Sequence, residues 1–119
     1  MKAVDAARQA NTARARYQRV INEFVDDFRR ASAEERVALV RDPVDGPGEI
    51  EGLVAAVVST LCRETGTPTP EWVDSVGSPR PFFAFPARSF ALRLRLMIES
   101  PPAFRARNVF VPASYLSRA

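Results

Sequence analysis

The chain has no histidine. That absence removes the side chain that most often serves as general base and metal ligand near neutral pH, and with it every triad built on imidazole. Lysine is almost as scarce: Lys2 is the only one and lies at the terminus, so no interior amine is on hand for lysine chemistry. A single cysteine, Cys62, permits neither an internal disulfide nor a multi-cysteine metal cage. Behind Val58 and Leu61 at helical spacing, it reads as a small buried apolar residue. Five scattered glycines match no phosphate-cradling loop. The longest apolar run, Leu53–Cys62, is interrupted by Ser59 and Thr60 and falls short of the roughly 18 residues that span a bilayer. No charged-then-apolar leader opens the chain. These absences predict a non-enzyme without metal or cofactor, in the cytoplasm and off the membrane. The acidic pairs Asp26-Asp27 and Glu34-Glu35 read as solvation and helix-dipole groups rather than as acid/base or metal dyads.

What is present is ordinary for a globular domain. At 119 residues, 46% hydrophobic and 26% charged, the chain can build one core but not two. The net charge of +3 hides segregation: residues 1–22 carry net +4, 23–64 net −5 and 65–119 net +4. Such a pattern suits an acidic partner, or the middle of a second copy, as well as a solvated surface. Nearly all the cations are arginine, which favours bidentate contacts to carboxylate or phosphate.

Nothing breaks a helix between Val4 and Ala31, and Tyr17, Val20, Ile21, Phe24, Val25 and Phe28 form one helical face. A continuous helix there would be about 42 Å long, whereas a domain of this size is about 35 Å across. The expectation is a long helix whose basic, alanine-rich first half projects beyond the core. Ser32 and Glu35 spell a capping box for a short helix that Asp42-Pro43 ends. Glu49–Glu64 has the apolar period of a helix, acids at its start and Gly66 to close it. Thr69 and Pro70 start a turn through Trp72 to Val76. Residues 78–86 hold three prolines and three phenylalanines, too many prolines for a central strand, and are read as an extended segment laid over the core. Ser89 caps a helix through Phe90, Leu94, Met97 and Ile98, although Leu92 to Leu96 alternates as a strand would. A short helix over 102–107, an extended piece over 109–111 and a last turn over 113–117 follow. The fold class is mainly α: one irregular helical domain over 1–119, with a long N-terminal helix (1–31), a helical hairpin (32–66), an extended Pro/Phe segment and a distinct C-terminal region (68–119).

A nucleic-acid reading has limited support. The helix pairs 33–40 with 49–64 and 89–99 with 102–107 fail the spacing or length of a helix-turn-helix. Arg80, Phe82, Phe83, Phe85 and Arg88 interleave cations with rings that can stack on bases, but phenylalanines in such a run more often belong to a core.

The order Pro70-x-Trp72, Arg80-Pro81-Phe82-Phe83, Ser100-Pro101-x-x-Phe104-x-x-Arg107-Asn108-Val109-Phe110-Val111 and Leu116-x-Arg118-Ala119 resembles the C-terminal half of small bacterial antitoxins. Those antitoxins are paired with nucleotidyltransferase-like toxins of the AbiEii type. The resemblance covers residues 68–119, and its signature positions here are Trp72, Pro81, Phe104, Arg107, Asn108 and Phe110. Read from their chemistry alone, Trp72, Phe104 and Phe110 are equally core residues, and Asn108 is a left-handed helix terminator. The resemblance implies a non-catalytic chain that binds and neutralises a cognate toxin. That toxin presents an acidic metal-binding cleft, which an arginine surface (Arg14, Arg16 and Arg19, or Arg105 and Arg107) can occlude by charge. The larger relatives carry a DNA-binding domain that is not recognisable here, so operator binding is not implied. Two other readings remain: a small nucleic-acid-binding regulator using the same arginines on phosphate, and a homo-oligomeric scaffold in which the +4 end of one copy meets the −5 segment of another.

Overall fold

The computed structural model describes residues 1–84 and 89–117; Phe85, Pro86 and Arg88 of the aromatic run and Arg118 and Ala119 of the C-terminal signature lie outside them. The fold is mainly α. Helices α1 (Ala3–Thr12), α2 (Tyr17–Arg30), α3 (Ala33–Val40), α4 (Glu49–Thr65), α5 (Phe90–Glu99) and α6 (Pro102–Arg105) carry most of the chain. Two short strands, β1 (Phe82–Phe83) and β2 (Val109–Phe110), pair in parallel, with Phe82 opposite Val109 and Phe83 opposite Phe110.

Helix α4 is the axis of the molecule. Ten of its residues, including Ile50, Leu53, Val54, Val57, Val58, Leu61 and Cys62, are buried, as befits a helix apolar on nearly all sides. Gly66, at φ +70°, ends it in the left-handed conformation that glycine adopts without a Cβ penalty. Helix α2 lays Val20, Ile21, Phe24, Val25 and Phe28 against the same core. The capping box of α3 forms as expected: the Glu35 N–H donates to Ser32 Oγ at 3.2 Å, and the Ser32 N–H to Glu35 Oε1 at 3.1 Å. Arg36 donates to the Phe28 and Arg29 carbonyls at 3.0 and 2.8 Å, closing the end of α2. The expected hairpin of α3 and α4 is looser than a pair of antiparallel neighbours, because α3 rests against α1.

The long projecting helix over 1–31 does not form. The chain leaves the helix at Ala13 (φ −110°, ψ 58°), passes through a 3₁₀ turn over Arg14–Arg16, and reverses direction into α2. The Met1 amino group therefore reaches Asp27, near the far end of α2, at 3.1 Å. Burial drives the reversal. Folding back hides Ala3, Ala6, Ala7 and Ala10, each no more than 1% exposed, on a face small enough for close helix packing. A straight helix would have left that alanine face in water, and tertiary burial outweighs the weak local preference for continuity.

The reversal also settles where the segregated charge goes. Lys2 meets Asp42 at 3.4 Å, Arg8 forks onto Asp45 at 2.8 and 2.9 Å, and Arg14 reaches Glu49 at 2.6 Å. Three of the five cations of the N-terminal segment thus face the acidic middle of their own chain.

The Gly77-Ser78 backbone links the start of α4 to the C-terminal region. The Ser78 N–H donates to the Arg107 carbonyl at 2.8 Å, and the Gly48 N–H to the Gly77 carbonyl at 3.2 Å. Residues 78–84 are extended over the core as expected, but they also pair with a partner some 27 residues downstream, the segment that includes β2. That pairing is long-range and leaves no local trace in the sequence.

Candidate functional site: an exposed apolar face on α5

Helix α5 is the one expected element whose orientation is unexpected. Ser89 caps it, its Oγ accepting from the Leu92 N–H at 3.1 Å. Leu92 and Leu96 turn inward onto Phe83 and Phe110 in a small cluster apart from the main core. At its end Ser100, 2% exposed, fastens the helix to β2: its Oγ accepts from the Val111 N–H at 2.8 Å and lies 2.6 Å from the Leu96 carbonyl. The residues that the sequence marks as the apolar face point the other way. Phe90 is 81% exposed, Ile98 69%, Leu94 45% and Met97 42%.

With Pro81 and Phe83, this face forms an open groove of about 430 Å³, lined by Pro81, Phe83, Phe90, Arg93, Leu94 and Met97. No carboxylate lines it among the described residues. The Arg93 guanidinium sits 5.5 Å from the centroid of the Phe83 ring, a cation–π contact. Arg95 engages Glu99 one turn on at 2.8 Å, which neutralises the only acid of α5. Four large apolar side chains side by side in solvent are unusual on a small domain and mark contact surfaces.

The arginines singled out by sequence fall into two groups. Arg14 is committed internally, paired with Glu49 and lying 5.5 Å from the Phe82 ring centroid. Arg107 is a brace: its side chain is only 10% exposed and donates to the Val73 carbonyl at 3.0 Å and the Ala103 carbonyl at 2.7 Å, with Asp74 at 3.8 Å. Burial lowers the pKa of its guanidinium, offset in part by Asp74. Arg16, Arg19 and Arg105 are exposed and make no ion pair among the described residues.

The signature positions are largely structural. Trp72 Nε1–H donates to the Val40 carbonyl at 2.8 Å, satisfying the end of α3. Phe104 and Phe110 are buried. Asn108 has φ 61° and ends the α6 turn in the left-handed region, with its amide donating to the Ser78 carbonyl at 3.3 Å. Pro81 alone is exposed, at the lip of the groove. Of the aromatics offered for base stacking, the two described are engaged: Phe82 is buried, and the Phe83 and Phe110 ring centroids lie 5.2 Å apart.

Other features offer less chemistry. Cys62 is buried, and burial pushes its thiol up to about 11, away from the thiolate form that reacts. No group of three metal-ligating side chains occurs among the described residues. A second depression of about 510 Å³ is bordered by Arg29 and Glu64, but these are locked to each other at 2.9 and 3.0 Å. That fork holds the Glu64 carboxyl below its ordinary pKa. No helix among the described residues is long and apolar enough to cross a membrane.

No family model, no curated protein and no solved structure matches this chain. Functional inference therefore rests on the residues and their geometry.

Proposed function

We propose that this chain is a non-catalytic antitoxin that binds and neutralises a nucleotidyltransferase-like toxin by covering its active-site cleft. The observation that carries the reading is the apolar face of α5, exposed over Phe90, Leu94, Met97 and Ile98. A surface of that kind suits a protein partner better than a small substrate. The resemblance of residues 68–119 to antitoxins supplies the partner class. With Arg14 and Arg107 turned to internal contacts, Arg16, Arg19 and Arg105 are the cations left to meet an acidic cleft.

The test is affinity purification of the tagged chain from its own host at moderate salt with nuclease present, followed by mass spectrometry. Stoichiometric recovery of a nucleotidyltransferase-like protein is the expected result. Recovery of the bait alone overturns the reading. Reversing Arg16 and Arg19 together to glutamate should weaken the complex at least about tenfold without lowering the melting temperature, since opposed charges steer and orient such contacts.

The exposed arginines also favour a second reading, a nucleic-acid-binding regulator. It predicts that log affinity for RNA or DNA falls linearly and steeply with log salt. A flat salt response excludes it.

A further inference from the structure

The groove on α5 has a shape and a charge that specify its occupant more narrowly than "a protein". We propose that it receives an amphipathic α-helix with acidic flanks from a partner chain; this rests on the protein-binding reading above and deepens it.

The spacing of the exposed residues is the first argument. Phe90, Leu94, Met97 and Ile98 follow an i, i+4, i+7, i+8 order along α5, a stripe about 12 Å long at 1.5 Å per residue. Such a ridge packs into the grooves of a second helix, whose own anchors recur at three and four residues. The wall made by Pro81 and Phe83 turns the stripe into a trough, which fits a cylinder better than the plane of a membrane.

Charge is the second argument, and it selects among helices. Among the described residues of 79–100 there are three arginines (Arg80, Arg93 and Arg95) and one acid, Glu99. The acid is already matched by Arg95, and the groove has Arg93 and no carboxylate among the described residues of its lining. A second copy would set this positive surface against itself, and a basic helix would meet the same repulsion. A helix whose glutamates or aspartates flank its apolar stripe would meet the Arg93 guanidinium in the lining and the exposed Arg80 next to Pro81, in the planar geometry that carboxylates accept.

The experiment uses the full chain and two designed helical peptides with the same leucine stripe. One carries glutamate and the other lysine at every flanking position. Binding is followed by titration, with amide chemical shifts to locate it. The acidic peptide should shift amides of α5 and bind at least about tenfold more tightly than the lysine peptide. The double variant Phe90→Ser/Leu94→Ser should lose about tenfold or more of that affinity while keeping its helical circular dichroism. Arg41→Glu, at an exposed position away from α5, should leave peptide binding unchanged. Equal or tighter binding of the lysine peptide, shifts that map away from α5, or no binding by either peptide would each overturn the proposal. So would a dimer in light scattering that Leu94→Glu dissociates, or Phe90-dependent adsorption to phosphatidylserine vesicles with no peptide binding. The two levels fail separately. A toxin captured equally well by the Phe90→Ser/Leu94→Ser variant keeps the antitoxin reading and removes the groove from it. Acidic-peptide binding at α5 with no toxin recovered does the reverse.

Discussion

Ser100 shows how much one hydroxyl holds. It is buried between α5 and β2, where it is the acceptor for the Val111 N–H. Replacing it with alanine leaves that buried N–H without a partner, while the Leu96 carbonyl keeps the Ser100 N–H at 2.9 Å. The cost of such an orphaned group is about 1–3 kcal/mol. Ser100→Ala should therefore lower the unfolding free energy by that amount in denaturant titration, with the loss of α5 order reported by exchange of its amides. A change under about 0.5 kcal/mol, the range of an ordinary surface substitution, would mean that the hydroxyl is dispensable. Arg107 teaches the complementary lesson. Its sequence context, beside Arg105 and after two prolines, suggests a surface cation. In the structure its planar fork spans two carbonyls on separate elements, a role that lysine, with a compact ammonium, fills poorly. Nothing local announces that role.

At the scale of elements, Gly52 is the informative position. A glycine inside a helix ordinarily costs about 0.5–1 kcal/mol relative to alanine, so propensity alone predicts that Gly52→Ala stabilises α4. Packing predicts the opposite. A Cβ at Gly52 would lie 2.7 Å from the Ser78 nitrogen and 3.0 Å from the Gly77 carbonyl carbon. Both belong to a backbone stitched by hydrogen bonds to Gly48 and Arg107, so neither can yield as a flexible side chain would. The net effect should be a loss of about 1–3 kcal/mol, the usual cost of overpacking, read as a lower midpoint in urea; a gain in stability would show that the crossing is loose. Features of this long-range kind separate what is legible in the sequence from what is not. The Ser32–Glu35 box, the Gly66 terminator, the Ser89 cap and the left-handed Asn108 are local chemistry, and all are readable from neighbouring residues. The break at Ala13 is not readable, since no proline or glycine stands there and the weak preferences of Asn11 and Thr12 do not by themselves end a helix. It follows from what α1 gains by lying on α2 and α4. The face of α5 is half legible: its apolar period is evident, but period does not say whether the core or solvent receives it.

For the whole molecule, charge is arranged as an internal clasp. Lys2, Arg8 and Arg14 meet Asp42, Asp45 and Glu49, so part of the contrast visible along the sequence is closed within one chain. Exposed pairs of this sort contribute little individually and are screened by salt, but they favour the folded-back arrangement of α1 over an extended one. Exchanging the partners tests this. Arg8→Asp alone should lower the melting temperature, because Asp5, Asp42 and Asp45 then crowd one another, and Arg8→Asp with Asp45→Arg should recover part of the loss. If the double variant melts no higher than the single one, the clasp is incidental to the fold.

The attachment of α5 has a further consequence. Leu92, Leu96 and Ser100 secure the helix, while Phe90, Leu94, Met97 and Ile98 stand largely outside both clusters of buried side chains. Folding and recognition are thus written at alternate positions of one ten-residue helix. Selection can rewrite the outward letters to follow a changing target without eroding the domain that displays them, and a screen that scores only foldedness is blind to every such change.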